Sequence, residues 1–378
     1  MKGLIIRLIR KNKKEIKEKT EKKNQISISI FSEGKQYWNS YRAIIDELIK
    51  SKIVFNYYSI DIEDPALLIE NEFINSKFLR YGISSRAKFM AIKGDILLTT
   101  TPNIGAEGYL PRPKNIKKMI HFFHSVSDIS IYKKHSLDFY DEVYMAGDFQ
   151  QKAIREIEEK RGIKTKNLTP LGLPYLDELL KGKVSSSKKN ANKTILIGSS
   201  WGKKGLLNYY GTSFIKKLAK GDVNIIFRPH PQSLKSEKSL IEKCKRELKD
   251  ISNVCWDEAV DPNPSMSIAD LLISDTSSLR YDYAFIYCKP VITLKIPLSA
   301  MPGYERDDIS SILIDEASRE IGFVLNSEEL TDIEKYILKI NNEFDAVRMK
   351  NLRNSIVSNY GRSAAAIVQQ MKLKENYE

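Results

Sequence analysis

The chain is poor in the residues from which active sites are most easily read. Its 378 residues hold four histidines and three cysteines; Cys244, Cys255 and Cys288 stand apart, with no CxxC pair and no His/Cys cluster at metal-ligand spacing. That excludes a disulfide framework and a zinc module, and a reducing, cytosolic compartment is the simplest setting. Proline and glycine are also sparse, 13 and 18 residues, so collagen-like and low-complexity chains are excluded. No apolar run approaches the ~20 residues that span a bilayer. Neither GxxxxGK[ST] nor GxGxxG occurs, which removes the P-loop and the dinucleotide fingerprint.

What remains is ordinary globular material. Hydrophobic residues make up 42% and charged residues 29%, and at ~150 residues per domain the length points to two or three domains, each able to bury a core. The net charge of +13 is local in origin: residues 1–23 hold ten Lys and Arg against Glu15, Glu18 and Glu21. A nucleic-acid binder would carry its basic face through a folded reading module, so no nucleic-acid partner is expected. In residues 1–24, Leu4, Ile5, Leu8 and Ile9 fall on one helical face and Arg7 and Arg10 towards the other, with a lysine-rich stretch behind them. This is the pattern of an arm lying on an anionic membrane surface, and it predicts a peripheral protein on the inner face of the cell membrane.

From Ile26 the pattern alternates between strand and helix. Ile26, Ile28 and Ile30 alternate with serines; Trp38 to Ile49 has helical spacing; Ile53 to Tyr58 reads as the next strand. Further strands are expected at Ile96–Thr100, Met119–Phe123 and Val143–Met145, with a charged helix from Phe149 to Arg161. Residues 182–193, GKVSSSKKNANK, lack apolar periodicity and read as a linker between a first domain, 25–181, and a second domain, 194–345. There the alternation restarts, with strands at Thr194–Ser199, Val223–Arg228, Asn253–Trp256, Leu271–Ser274 and Val291–Leu294. Thr331 and Glu334 are spaced for a capping box, and residues 346–378 read as closing helices that pack back towards the first domain. The fold class is therefore α/β: two Rossmann-like, doubly wound parallel sheets facing a cleft.

In such sheets the sites lie at the C-terminal ends of strands. His121 and His124 close the strand KMIHFF, with Ser125 next in the loop, and His230 follows the strand NIIFR in Arg228-Pro229-His230-Pro231. A histidine with its ordinary pKa of ~6.5 suits proton transfer near neutrality. His135, in a lysine-rich stretch, reads as a surface residue. Ser274-Asp275-Thr276-Ser277-Ser278 follows the strand LLI and opens the helix that carries Asp282, so its N–H and hydroxyl groups are placed to bind phosphate. Gly198-Ser199-Ser200-Trp201-Gly202 leaves its strand in a similar way.

In this order, several of these segments resemble the CDP-glycerol glycerophosphotransferases, the teichoic-acid primases and polymerases of bacterial envelope synthesis. Gly172 to Leu180 resembles their GxPRxDxLL segment, Ile195 to Trp201 their ILYAPTWR strand, and Arg228-Pro229-His230-Pro231 their RxHP motif. Ser274 to Ala284 with Lys289-Pro290 resembles DYSSxxFDYA...KP, and Gly361 to Ala364 their DGxSA helix. The resemblance implies a GT-B fold without a metal or other cofactor. It also implies transfer of glycerol phosphate, or a related polyol phosphate, from a CDP-polyol to a prenyl-linked saccharide. It further implies His124 as the base and His230, Ser277 and Ser278 as diphosphate ligands, with Arg228, Thr276 and Ser200 beside them. His121, Ser125 and Asp282 are the expected polyol or acceptor contacts. The sequence departs from the family at Ser125-Val126-Ser127, where Gly-Thr-Pro is usual, at Tyr175 in place of Arg, and at Arg280 and Tyr281. Two other readings share the pattern: a GT-B glycosyltransferase using a UDP- or CMP-linked sugar, and a non-catalytic nucleotide-binding scaffold. Deletion of residues 1–23 is expected to abolish binding to anionic liposomes; undiminished binding in a flotation assay would reject the arm as anchor.

Overall fold

The computed structural model describes residues 26–80, 82–127, 129–184, 192–203, 205–259, 261–296, 303–310 and 313–373. The basic arm and residues 185–191 of the expected linker lie outside them. Seven parallel strands form the first sheet: β1 (Ile28–Ser32), β2 (Phe55–Ser59), β3 (Ile74–Phe78), β4 (Lys93–Thr99), β5 (Asn115–Phe122), β6 (Glu142–Met145) and β7 (Asn167–Pro170). Their order in space is β3-β2-β1-β4-β5-β6-β7. Six more, β8 (Lys193–Gly198), β9 (Val223–Arg228), β10 (Val254–Trp256), β11 (Leu271–Ser274), β12 (Val291–Leu294) and β13 (Gly322–Leu325), form the second, in the order β10-β9-β8-β11-β12-β13. Each sheet reverses its winding at one point, between β1 and β4 (Ile30 opposite Leu98) and between β8 and β11 (Ile197 opposite Ile273). Chain connections leave those two points in opposite directions, which opens a crevice above the strand ends.

The inner strands are apolar on both faces because helices cover both faces, as parallel sheets require. β11 and β12 are buried at every residue. The strands that sequence pattern does not reveal lie on or next to the rims. β3 (INSKF) alternates buried with exposed positions, β7 (NLTP) is polar and ends in proline, and β13 (GFVL) is short. An edge strand has a partner on one side only, and its residues can be polar without leaving buried groups unpaired.

Five helices position the site: α1 (Trp38–Lys50), α2 (Phe149–Arg161), α3 (Pro174–Lys181), α4 (Leu279–Tyr287) and α5 (Ala346–Ile356), with a closing helix α6 (Ser363–Leu373). Asp345 caps α5, accepting from the N–H groups of Val347 (2.7 Å) and Arg348 (3.2 Å). The expected capping box at Thr331 and Glu334 does not form. Asp332 is the N-cap of the helix Ile333–Glu343 and makes no side-chain cap, while the Thr331 hydroxyl donates to the Glu328 carbonyl at 2.8 Å. A short 3-10 turn, Glu329–Asp332, precedes that helix and moves Thr331 out of register. Among the described residues no helix is long and apolar enough to cross a membrane.

The two halves share one core. Leu176 and Leu179 of α3, Tyr283 and Phe285 of α4, and Met349 and Ile356 of α5 belong to a single buried cluster, while Ile367, Val368 and Met371 of α6 join the core beneath β1 and α1. Specific bonds cross the same seam: the Tyr360 hydroxyl to the Phe285 carbonyl (3.0 Å), Lys183 Nζ to the Ile286 carbonyl (2.8 Å), and the Ala364 N–H to Asp177 Oδ2 (2.8 Å). Backbone meets backbone at Gly147, where an added Cβ would lie 2.0 Å from the Ile356 carbonyl oxygen. Gly147→Ala is expected to cost about 1–3 kcal/mol by forcing α5 away. Exposed Gly221→Ala, whose Cβ would have its nearest neighbour at 3.4 Å, should stay within about 0.5 kcal/mol; urea unfolding of the two variants checks both.

Candidate active site

Both crevices carry polar residues, and a buried carboxylate organises the one in the second half. Asp275, directly after β11, has no exposed surface. Its Oδ2 accepts from Ser200 Oγ (2.8 Å), the Ser200 N–H (3.0 Å) and the Leu206 N–H (2.8 Å), and its Oδ1 from the Ser277 N–H (2.9 Å). The loops leaving β8 and β11 are thus tied to one side chain across the point where the sheet reverses. Burial pushes the Asp275 carboxyl up from its ordinary range, and these donors act in the opposite direction. Arg280 secures the same loop from below. Buried at the base of α4, it donates through Nε to the Ser277 carbonyl (3.0 Å) and through a terminal nitrogen to Ser318 Oγ (2.7 Å).

Thr276, Ser277 and Ser278 remain half-buried above this support, and Ser278 is the N-cap of α4 without capping it through its side chain. Their hydroxyls form a cradle for an anion, while the first N–H groups of α4 are taken up within the turn, Leu279 by Ser277 Oγ (3.4 Å), Arg280 by the Ser277 carbonyl (3.3 Å) and Tyr281 by the Ser278 carbonyl (2.9 Å). Ser200 stands in the same cradle, but its hydroxyl is committed to Asp275. His230 lies on the neighbouring loop, half-buried beside the exposed Trp201, with ring centroids 6.5 Å apart. Its Nδ1 accepts from the Gln232 N–H (3.0 Å), so Nε2 carries the proton and can be donated. Arg228 departs from expectation. Its guanidinium is buried against Asp257 (2.6 Å) and the Ala259 carbonyl (2.7 Å), so it braces the loop after β10 and is not a free phosphate ligand.

In the first half, His124 stands just past β5 beside the reversal of that sheet. Its Nδ1 is 2.8 Å from the hydroxyl of Thr100, which follows β4. Tyr37 meets the ring edge-on and Tyr132 stacks on it at 6.5 Å. Burial lowers the His124 pKa to about 4, so the ring is neutral near pH 7. In the tautomer whose Nδ1–H donates to Thr100, Nε2 keeps a free lone pair, as a base requires. Glu33 follows β1 at the same edge, its carboxyl pushed up by burial, and its charge together with burial raises Tyr37 to about 12.

The expected acceptor contacts lie deeper than anticipated. His121 has no exposed surface and packs edge-on against Phe123, Tyr132 and Tyr140. It lies inside the aromatic cluster whose Tyr132 also stacks on His124. Ser125 is buried, its hydroxyl 3.1 Å from that of Ser127. Asp282 sits in the seam between the halves, where Tyr175 donates to it at 3.3 Å and burial raises its pKa to about 7. It fastens α4 to α3 and is closed off from solvent. The structure therefore gathers Ser200, Thr276, Ser277, Ser278 and His230 in one crevice and His124 in the other, while His121, Ser125, Asp282 and Arg228 support them.

Thr100, Tyr37, Glu33 and Asp275 were not singled out by sequence reasoning. A Ser-Glu-Gly segment ending the first strand, and an acid between hydroxyl residues after an apolar strand, were the signals available for Glu33 and Asp275.

Comparison with known proteins adds an independent line. The family model described as CDP-glycerol:poly(glycerophosphate) glycerophosphotransferase matches residues 17–300. The teichoic acid ribitol-phosphate polymerase TarL of Staphylococcus aureus (strain NCTC 8325 / PS 47) is 31% identical over 155 residues, covering 35% of this chain and 26% of that protein. The match thus spans little more than a quarter of the relative's length. Among solved structures, a variant of the wall teichoic acid polymerase TagF soaked with CDPG is 15% identical with a TM-score of 0.54, covering 94% of this chain and 91% of that one. The UDP-GlcNAc 2-epimerase of Methanocaldococcus jannaschii, in complex with UDP-GlcNAc and UDP, is 14% identical with a TM-score of 0.59, covering 92% and 100%. At these identities the likeness is one of fold: two parallel-sheet α/β domains in the GT-B arrangement.

Asp275→Asn is expected to lower stability by about 1–3 kcal/mol, because an amide nitrogen would face buried donors. Hydrogen exchange should quicken at Ser200, Leu206 and Ser277 before other amides; uniform exchange would deny Asp275 its organising role.

Proposed function

The chain belongs to the CDP-glycerol:poly(glycerophosphate) glycerophosphotransferase family, and from that premise we propose that it transfers glycerol phosphate, or a related polyol phosphate, from a CDP-polyol to a hydroxyl of a lipid-linked saccharide in envelope-polymer synthesis. The observation that carries this reading is the pairing of two unlike crevices in one GT-B frame. One holds the hydroxyls of Thr276, Ser277 and Ser278 beside His230, with Glu237 on the adjoining wall held by the Gly202 N–H (3.1 Å) and the Ser233 hydroxyl (2.7 Å). The other holds a neutral histidine kept in one orientation by Thr100.

The chemistry follows from those groups. The acceptor hydroxyl attacks the phosphorus that bears the polyol, the bridging P–O bond to CMP breaks, and a phosphodiester forms. His124 Nε2 takes the hydroxyl proton. The hydroxyls of Thr276, Ser277 and Ser278 hold the diphosphate, and the Nε2–H of His230 stabilises the charge that develops on CMP; preorganised donors of this kind supply the largest share of such rate enhancements. The acceptor carries a prenyl chain, so the enzyme works on the cytoplasmic face of the membrane, with the basic arm holding it there.

His124→Ala should lower turnover about 10²–10⁴-fold and leave CMP affinity intact. A base must be deprotonated, so wild-type kcat/KM should fall only as the pH drops towards about 4, below the usual histidine range near 6.5. The deciding experiment is turnover of CDP-glycerol, CDP-ribitol, UDP-sugars and CMP-sugars with a prenyl-linked saccharide, with and without EDTA. CMP release from a CDP-polyol in EDTA supports the reading. Turnover of a sugar nucleotide instead would make the protein a glycosyltransferase, and tight nucleotide binding without turnover would make it a scaffold.

A further inference from the structure

Residues Gly303–Ser310 follow β12 of the second sheet in chain order, yet they are fastened to the first half of the molecule, and they lie beyond residue 300, where the family match ends. Tyr304 pairs with Lys133 in an antiparallel bridge, the Lys134 N–H donates to the Gly303 carbonyl (2.8 Å), and the Glu305 N–H donates to the Tyr132 carbonyl (2.8 Å). The Glu305 side chain is 1% exposed. Its Oε1 accepts from both the N–H (2.9 Å) and the hydroxyl (2.8 Å) of Ser136, and its carboxylate is paired with Arg161 at the end of α2. Arg161 also reaches Asp138 (2.9 Å) and Asp308 (2.6 Å), and Ser310 is held by Glu156 through two bonds of 2.8 Å.

The loop gripped in this way is the one that packs against His124. Tyr132 stacks on Phe123 at 5.6 Å and on His124 at 6.5 Å. Ser136 and Lys134 accept, through their carbonyls, from the N–H and side-chain amide of Asn103 (both 2.8 Å), three residues beyond the Thr100 that bonds the His124 ring. Two routes therefore run from Glu305 to His124, one through Tyr132 and one through Asn103. A buried ion pair adds little net stability over apolar packing of the same volume. Holding one loop geometry is what this one can supply.

We propose that the Gly303–Ser310 segment is a strap by which the second half of the chain sets the acceptor-side geometry, with Glu305 and Arg161 as positioning residues for the Tyr132–His124 pair. The kinetic part of this proposal rests on the transfer reaction proposed above; the structural part does not.

The test uses the full-length protein carrying Glu305→Gln, Glu305→Asp, Arg161→Lys or Ser136→Ala. With four histidines in the chain, the imidazole resonances can be assigned by single His→Asn variants. Glu305→Gln should shift the His124 resonance and leave that of His230 in place, lower kcat with CDP-glycerol about 10–100-fold, and leave CMP affinity by calorimetry unchanged. Glu305→Asp, which keeps the carboxylate, should recover part of the rate. A folded Glu305→Gln protein with unchanged His124 resonance and kcat would overturn the proposal, as would a shift at His230 with loss of CMP binding, which is the mark of general loosening. If Glu305→Gln does not fold, Arg161→Lys and Ser136→Ala decide by the same resonances. If the wild-type protein fails to turn over CDP-glycerol, the function proposed above falls while the resonance comparison still judges the strap.

Discussion

The carboxylate of Asp275 is the constraint on which the crevice of the second half depends. Parallel strands deliver their loops to one edge of a sheet, but nothing in the ladder fixes where two such loops sit relative to one another. Here one acid, wholly buried, accepts from both loops at the point where the sheet reverses. Removing a charged group from water is costly, and only a full set of donors offsets it. That requirement makes the arrangement specific: the loops can satisfy Asp275 in one geometry, and that geometry leaves the hydroxyls of Thr276, Ser277 and Ser278 at the mouth of the crevice. Arg280 acts on the same loop from the opposite side, which explains why a large basic residue is tolerated in the core of α4.

The first half solves a different problem with similar means. A base is useful only if it is unprotonated and correctly turned. Packing among Tyr37 and Tyr132 leaves His124 half-buried, which lowers its pKa and keeps it neutral, and the Thr100 hydroxyl turns it. The seam of α3, α4 and α5 then holds the two crevices in one body, with Tyr175 donating to Asp282 across it. Burial raises the pKa of Asp282 to about 7, and the hydrogen bond from Tyr175 acts against it.

Sequence pattern revealed the inner strands because burial on both faces leaves continuous apolar runs such as TILIG, NIIFR and DLLIS. It did not reveal β3, β7 or β13, whose positions at or near the rims permit polar or short sequences. The residues proposed to carry the chemistry were legible for a related reason: His124, His230 and the serine cluster all stand at the ends of recognisable inner strands. Their supports were not. His121 and Arg228 look like site residues because they share those strand ends, yet one turns into the core and the other is occupied by Asp257. Period-two alternation tells which residues share a face, but not which partner waits there.

By itself the sequence determined the parallel α/β architecture, the two-half organisation and the family, because these rest on hydrophobic periodicity and on the order of short motifs along the chain. Tertiary structure decided which polar residues remain available to a ligand, because availability depends on partners far away in sequence: Ser200 with Asp275, Arg228 with Asp257, Tyr175 with Asp282, Ser136 with Glu305. Such contacts leave no local signature, since a buried polar side chain is paid for by a donor or acceptor that only the folded chain brings within reach.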